Sequence, residues 1–169
     1  MSQVTLHYFD GRGKGEIIRF MLSAAGIKFN EVFLTKREEM VKLITDGLLD
    51  FNQLPLLDID GLRLVQTGAI VRYIARRGGL YGKDDKEAAV VDKFFEGQRI
   101  STTTTSPWEH LHINSARKNN GIKCFHVCLQ QFYKTVSSLP NISAFLKGPQ
   151  RKRANDERYV ADVKRVLAW

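Results

Sequence analysis

The pattern of apolar and polar residues in the first half of the chain predicts short strands that alternate with helices. Residues 4–9 form a β-rich run, and apolar side chains then recur at helical spacing over 16–25, with Gly26 as a stop signal. A second strand is predicted over 28–34, and a polar helix over about 36–44 follows it. This part of the chain is therefore expected to begin β-α-β-α.

A β-hairpin and a third helix are predicted next. Residues 53–59 form a strand with a proline near its start, where the missing N–H is least harmful, and 62–65 form the return strand. The Asp60-Gly61 pair between them is a two-residue hairpin signal. Thr67 can cap a helix that stops at Gly78-Gly79. The order β-α-β-α-β-β-α is the thioredoxin-like arrangement.

The second half of the chain has a helical pattern that is interrupted. A helix over about 86–97 is expected to end there, because the β-branched residues and the proline of 99–108 make a poor helix. A last helix is predicted from Asn155, a capping residue that two acidic residues follow. The expected fold is α+β followed by all-α, with a thioredoxin-like domain at 3–83 and an abbreviated all-helical domain at 85–169.

The net charge of +8 is unevenly distributed along the chain. Residues 1–97 contain 14 Lys/Arg and 14 Asp/Glu, so the whole excess of the 26 Lys/Arg over the 18 Asp/Glu lies in 98–169. Basic runs such as 150–153 are usually solvated surface, and the aromatic or helical interleaving of a nucleic-acid surface is absent. A basic nucleic-acid-associated protein is therefore the weakest functional interpretation.

Membrane and secretory signals are absent from the sequence. No apolar stretch is long enough to span a bilayer, and the N-terminus has no signal-peptide pattern. Two cysteines are too few for a disulfide framework. We therefore expect a cytoplasmic protein.

Cysteine chemistry is disfavoured by the positions of the two thiols. Disulfide exchange by the thioredoxin-like half would need a cysteine at the start of the first helix, but 13–15 reads Gly-Lys-Gly. Cys124 and Cys128 flank one histidine, without the second ligand pair that a structural zinc site requires. We expect no metal site and no permanently bound cofactor.

Three features at the ends of predicted elements suit one kind of ligand. Tyr8 ends the first strand directly before a glycine-rich turn and a helix, where a phenol can donate a hydrogen bond to a bound anion. Leu54-Pro55 is a candidate cis-proline whose backbone can pair with a peptide. Gln66-Thr67 lies at a helix N-terminus that suits a carboxylate. A peptide with an α-carboxylate, a mid-chain amide and a thiol would satisfy all three.

These residues belong to strings that resemble the cytosolic glutathione S-transferases, most of all the alpha class. The resemblance covers about 3–97 and resumes at 138–142 and 155–169. It implies an enzyme whose co-substrate is glutathione and whose second substrate is a hydrophobic electrophile or an organic hydroperoxide. The matching strings, which are more specific in combination than singly, are Leu6-His-Tyr-Phe-Asp-Gly-Arg-Gly13, Gln53-Leu-Pro55, Asp60-Gly61, Leu64-Val-Gln-Thr67, Tyr73-Ile-Ala75 and Leu80-Tyr-Gly-Lys-Asp84.

The resemblance implies a role for each matching site residue. Tyr8 would donate to the glutathione sulfur and favour the thiolate, which attacks the electrophile in an adjacent apolar pocket. Lys14 stands where the alpha class has an arginine, and Lys42 neighbours Ile44, where the family has a basic residue for the glycyl carboxylate. The implied glutathione site comprises Tyr8, Lys14, Lys42, Gln53, Leu54, Pro55, Gln66 and Thr67. The implied hydrophobic site comprises Phe9, Val160, Val163, Leu167 and Trp169.

The predicted last helix has two readings that the sequence leaves open. Val160, Val163 and Leu167 recur on one helical face. By resemblance that face closes over the hydrophobic substrate, but an amphipathic tail docked on the core would show the same pattern.

The chain departs from the family over 98–132, which matches none of the family's central helices. We expect this segment to be a variant or misassembled stretch that replaces several helices. Family dimers insert an aromatic residue into the partner's helical domain, and Phe51 matches that residue. Because the receiving helices are partly absent, the resemblance alone does not predict a stable dimer. The charged residues that the partner supplies to each glutathione site in the family also have no match, since Ile100 stands where the family has an aspartate.

Two leading interpretations follow. The first is a glutathione transferase with a thioredoxin-like domain and a shortened helical domain. The second is a non-catalytic glutathione-binding or scaffold protein that lost turnover with its central helices.

Overall fold

A computed structural model describes residues 4–103, 136–152 and 154–168, without the side chains of residues 94 and 97–103. Residues 1–80 and 140–169 together form one compact unit, and 81–139 form a second. The first unit therefore joins the N-terminal part of the chain to its last two helices.

One mixed sheet of four strands, in the order β2-β1-β3-β4, forms the centre of the first unit. β1 pairs in parallel with β2 and antiparallel with β3, and β3 pairs antiparallel with β4. The strands are β1 (Thr5–Tyr8), β2 (Asn30–Phe33), β3 (Leu56–Ile59) and β4 (Leu62–Val65).

The structure gives bounds for six helices, of which α4 lies in the second unit, where residues 136–138 are also helical. In the first unit α1 packs against α3 and α5, and α2 packs against α6. The helices are α1 (Gly15–Ala24), α2 (Arg37–Thr45), α3 (Thr67–Arg77), α4 (Asp85–Thr103), α5 (Pro140–Lys147) and α6 (Glu157–Leu167). None of them, among the residues described, combines the length and apolar character needed to cross a bilayer.

The core of the first unit forms where the apolar stripes of the helices face the sheet. Leu6 of β1 lies opposite Leu57 of β3, and neither is exposed to solvent. Burial of each such side chain contributes about 1.5–3 kcal/mol, which outweighs the small propensity differences along the strands. The helical residues that are fully buried with them are Ile18 and Leu22 of α1 and Ile70 and Ile74 of α3.

The predicted order β-α-β-α-β-β-α is confirmed. The hairpin turn has the geometry that its sequence predicts, because Asp60 and Gly61 both have positive φ angles, of 55° and 78°. The cis peptide expected at Leu54-Pro55 is present. The third helix ends at Gly78 as predicted.

Three predicted helix boundaries are wrong. Gln66 rather than Thr67 precedes α3, and Thr67 is its first residue. The cap of α6 is Asp156, whose Oδ1 accepts from the Tyr159 N–H at 2.9 Å, and Asn155 is not the capping residue. The helix expected to end at 97 continues to Thr103, because extending a formed helix costs far less than nucleating one.

The sheet register brings three predicted site segments to one end of the sheet. His7 lies opposite Leu56, and Leu56 lies opposite Val65. The residues that come next at that end are Tyr8, Pro55 and Gln66.

Candidate functional site

A buried arginine fixes the turn that follows β1. Arg19 of α1 has no solvent exposure, and its Nη1 and Nη2 donate to the carbonyl oxygens of Gly11 and Phe9 at 2.8 and 3.3 Å. Its Nε donates to Glu31 Oε2 at 2.6 Å, which ties the turn to β2. Since the guanidinium has five donors in a rigid fork, one side chain can hold three segments in place.

Tyr8 projects from the end of β1 beneath this turn and is only 5% exposed. Its hydroxyl oxygen accepts a hydrogen bond from the Lys14 N–H at 2.9 Å. A Cβ at Gly15 would lie 2.5 Å from the Tyr8 ring, and Gly13 has a φ of +38°. Glycine at these positions therefore allows the turn to approach the phenol closely.

The protonation state of Tyr8 suits a hydrogen-bond donor. Burial raises the pKa of the Tyr8 phenol well above its usual range, and the hydrogen bond with Tyr159 raises it further, against the lowering effect of the Lys14 N–H. Tyr8 is therefore a neutral phenol at physiological pH. Because its oxygen already accepts from Lys14, its own proton is available to an acceptor in the site.

A second phenol, that of Tyr159 in α6, lies directly beside Tyr8. The two hydroxyl oxygens are 3.4 Å apart. The Tyr159 ring packs edge-on to Phe9 with the ring centroids 6.3 Å apart, and it occupies the space in which a Cβ at Gly11 would lie. The glycine turn is thus shaped to receive the Tyr159 ring as well as Tyr8.

The segment before α6 is bound to the same turn. Asn155 Oδ1 accepts from the backbone N–H groups of Arg12 and Gly13 at 3.0 and 3.3 Å. Arg12 Nε donates to the Lys152 carbonyl oxygen at 2.8 Å, and Lys152 Nζ forms an ion pair with Glu31 at 3.2 Å. These contacts fix where α6 begins and therefore where Tyr159 points.

The predicted peptide-binding residues meet at the same end of the sheet. Pro55 is fully buried and follows a cis peptide bond, whereas Gln53 is exposed. Gln66, with a φ of +67°, donates from Nε2 to Gln53 Oε1 at 3.4 Å. The register brings Tyr8, the Leu54-Pro55 segment and Gln66-Thr67 to one sheet end.

The two lysines that sequence comparison with the family singled out are exposed. Lys14 begins the turn into α1, where its backbone N–H and not its ammonium contacts Tyr8. Lys42 lies in α2 beside the half-buried Ile44.

The predicted hydrophobic-site residues have different environments. Phe9 is 5% exposed and lies edge-on to the Tyr8 ring at 5.2 Å between centroids. Val163 and Leu167 are half-buried, whereas Val160 is 45% exposed and lines an open groove along α6 with Ala161. The most buried apolar residue of α6 is Val166, so the helix is rotated relative to the predicted face. Trp169 lies outside the described residues.

No group of three His, Cys, Asp or Glu in the described ranges could hold a metal ion, and Cys124 and Cys128 lie outside them. Phe51 is 62% exposed.

Sequence reasoning missed Arg19, Tyr159 and Asn155. Arg19 could have been found from the sequence, because this charged residue lies on the same face of α1 as the apolar residues Ile18 and Leu22. The sequence predicts Asn155 as a cap because Asp156 and Glu157 follow it, but Asp156 is itself a capping residue type followed by Glu157. Tyr159 had no signal in the sequence, because its role depends on a contact with a residue 151 positions away.

Comparison with known proteins decides the family. The model of the glutathione S-transferase N-terminal domain matches residues 4–76. Glutathione S-transferase 3 of Gallus gallus is 35% identical over 219 residues, which cover 98% of this chain and 95% of that protein. The chain belongs to the glutathione S-transferase family. Glutathione S-transferase A3 of Mus musculus is 54% identical over 92 residues, and this match spans 54% of the chain but only 42% of the mouse protein.

The solved structures agree with this assignment. The crystal structure of the glutathione S-transferase from Ascaris lumbricoides is 26% identical, covers 91% of this chain and 100% of its own, and superposes with a TM-score of 0.68. The Gallus gallus alignment also gives the number of residues by which this chain is shorter than that relative. Its 219 positions exceed the 169 residues of the chain by 50, so at least 50 positions of the relative have no counterpart here.

Proposed function

We propose that this chain binds glutathione at the end of the sheet and conjugates it, through its thiolate sulfur, to hydrophobic electrophiles. The observation that carries the proposal is the environment of Tyr8. Its phenol is buried and neutral, and its oxygen already accepts from the Lys14 N–H at 2.9 Å, which leaves its own proton for donation to a ligand in the site. Such a donor stabilises a thiolate relative to a thiol.

The proposed reaction uses no group beyond the two substrates. The glutathione thiol, with an ordinary pKa of about 8.5, loses its proton to solvent and the resulting thiolate accepts a hydrogen bond from Tyr8. The sulfur lone pair then forms a bond to the electrophilic carbon, and the leaving group departs with its electron pair. With an organic hydroperoxide, two glutathione molecules would supply two electrons, giving glutathione disulfide, an alcohol and water.

The remaining parts of glutathione would be held by the residues around Tyr8. Backbone groups of Gln53 and Leu54 beside the cis Pro55 suit pairing with the cysteinyl unit. Gln66 and Thr67 suit the γ-glutamyl carboxylate, because they lie at the N-terminus of α3 where N–H groups are unpaired. Among exposed cations, Lys42 is the candidate for the glycyl carboxylate and Lys14 a candidate near the sulfur.

The electrophile would bind against the apolar side chains next to the phenol. Phe9 touches both Tyr8 and Tyr159 through ring edges, and Val163 and Leu167 extend the apolar surface along α6. Val160 would contribute through the open groove, and Trp169 follows α6 in the chain.

A non-catalytic glutathione-binding role is the alternative, and one observation favours it. At least 50 positions of the Gallus gallus relative are missing from this chain. If they include walls of the electrophile pocket, glutathione would bind without turnover.

We propose a cytoplasmic setting for either role, and a homodimer through Phe51 only if a partner surface for this exposed ring is retained.

One pair of assays separates these roles. Retention of the full chain on immobilised glutathione is measured first, followed by initial rates with a chromogenic aryl electrophile for the wild type, Tyr8→Phe and the control Tyr73→Phe. Retention with a rate that falls at least tenfold in Tyr8→Phe alone supports the transferase. Retention without a Tyr8-dependent rate supports the binding role, and absence of retention contradicts both.

A further inference from the structure

The Tyr8 and Tyr159 hydroxyls converge on one solvent-accessible point. Both lie against Gly13, where a Cβ would lie 2.5 Å from the Tyr8 oxygen and closer still to the Tyr159 oxygen. Gly13 itself is exposed. A ligand atom can therefore reach the place where the two phenols meet.

The hydrogen bond between the two hydroxyls is long, so a ligand atom that accepts from both can replace it at little cost. At 3.4 Å it is longer than the roughly 2.5–3.0 Å of a good O–H···O bond. A third atom placed beside Gly13 can accept from both hydroxyls at once. A thiolate sulfur is such an atom, since it has several lone pairs and a full negative charge.

We propose that Tyr159 is a second hydrogen-bond donor to the glutathione thiolate, so that the sulfur is held between the phenols of Tyr8 and Tyr159. This inference rests on the proposed function, because it assumes that the sulfur lies at Tyr8. It assigns to α6 a direct contact with the reacting atom.

The contacts of α6 keep the second phenol in position. Asp156 caps the helix at the Tyr159 N–H, and Asn155 binds the backbone of the turn that carries Gly13. Farther along the helix, Arg37 Nη1 donates to the Val166 carbonyl oxygen at 3.0 Å. The hydroxyl is thus held by contacts on both sides of the Tyr159 ring.

Each phenol contributes separately to the stability of the bound thiolate. The thiol proton leaves to solvent, and each hydroxyl keeps its own proton while donating it to the sulfur. Because a hydrogen bond to a charged group is worth about 1.5–3 kcal/mol, removal of one donor raises the pKa of the bound thiol by about one unit or more.

The test measures the pKa of the bound glutathione thiol and not only the reaction rate. The ultraviolet absorbance of the thiolate is titrated against pH for glutathione bound to the wild type, Tyr159→Phe, Tyr8→Phe and the control Tyr73→Phe, with the affinity of each measured by calorimetry. Tyr159→Phe keeps the ring that packs on Gly11 and Phe9 and removes only the hydroxyl. We expect its bound thiol pKa to rise by about one unit and its affinity to fall by no more than the roughly tenfold that this shift implies for the thiolate, while Tyr73→Phe matches the wild type.

Other outcomes overturn the inference in distinguishable ways. An unchanged thiol pKa in Tyr159→Phe, with a raised one in Tyr8→Phe, refutes the second donor and leaves the proposed function intact. A lower thiol pKa or a faster rate in Tyr159→Phe would mean that this phenol competes with glutathione for Tyr8. A wild type that binds no glutathione removes both proposals.

A titration of Tyr8 in the protein without glutathione provides an independent test. Loss of the Tyr159 hydroxyl should lower the pKa of Tyr8, since the hydrogen bond between them disappears. If the alkaline titration of Tyr8 is the same in Tyr159→Phe and the wild type, the two hydroxyls do not meet in solution and the inference fails.

Discussion

The hydroxyl oxygens of Tyr8 and Tyr159 lie 3.4 Å apart although 151 residues separate them in the chain. Tyr8 ends the first strand and Tyr159 lies in the first turn of the last described helix, so the contact joins the two extremities of the described fold. It places the final helix of the chain inside the candidate site.

The anchoring of α6 depends on Asn155. In Asn155→Ala the N–H groups of Arg12 and Gly13 lose their shared acceptor, so we expect a loss of about 1–2 kcal/mol in unfolding free energy and faster hydrogen exchange at these two amides. Asn155→Asp is the matched control, because a carboxylate oxygen can still accept from both. Equal exchange rates in Asn155→Ala and the wild type would contradict the contact.

The packing of Tyr159 on the turn depends on Gly11. A Cβ there would overlap the Tyr159 ring, so Gly11→Ala should displace that ring, lower the pKa of Tyr8 and destabilise the fold by about 1–3 kcal/mol. A double-mutant cycle, with each variant measured by thermal and urea unfolding, tests this expectation. In a Tyr159→Ala background the cost of Gly11→Ala should largely vanish, and a cost that persists there would place the clash elsewhere.

The buried ion pair of Arg19 should be the most sensitive polar contact of the first unit. Arg19→Met removes the guanidinium that donates to the Gly11 and Phe9 carbonyl oxygens and to Glu31 and leaves Lys152 as the remaining cation at Glu31, so we expect a loss of about 3 kcal/mol in urea unfolding. Arg63→Met is the control, because its pair with Asp58 is 3.8 Å long and largely exposed and should cost under about 1 kcal/mol. Similar losses in the two variants would contradict the structural role of Arg19.

The stability of the protein should fall in mild acid partly because of His7. Burial lowers the pKa of His7, against the opposing effect of Asp58. A lowered pKa means that the unfolded chain binds the proton first, so this contribution is present above the unfolded pKa of about 6.5 and is lost as pH falls below it. Unfolding free energies at pH 7.5 and pH 5 should differ less in His7→Gln than in the wild type, and an equal difference would exclude His7.

Local signals in the sequence were sufficient for most of the fold. The apolar spacing of α1 and α3, the Asp60-Gly61 turn and the proline before β3 each specify an element through contacts within a few residues. Helix ends were predicted less well, since Asn155 and Asp156 are equally good caps and only the tertiary bonds of Asn155 to the turn distinguish them.

Only the part of the site that depends on local signals could be predicted from the sequence. Tyr8, Pro55 and Gln66 could be found because each lies at the end of its own predicted element, and the sheet register brings those ends together. Tyr159 could not be found, because its contact with Tyr8 requires the orientation of α6 on the sheet. The rotation of α6 that buries Val166 and exposes Val160 likewise follows from packing against α2.

The central claim is that Tyr8 stabilises the thiolate of bound glutathione. It is tested most directly by the pH titration of thiolate absorbance for glutathione bound to the wild type and to Tyr8→Phe. We predict a bound thiol pKa clearly below about 8.5 in the wild type and a value at or above it in Tyr8→Phe. Glutathione that binds with the same thiol pKa in both proteins would contradict the claim.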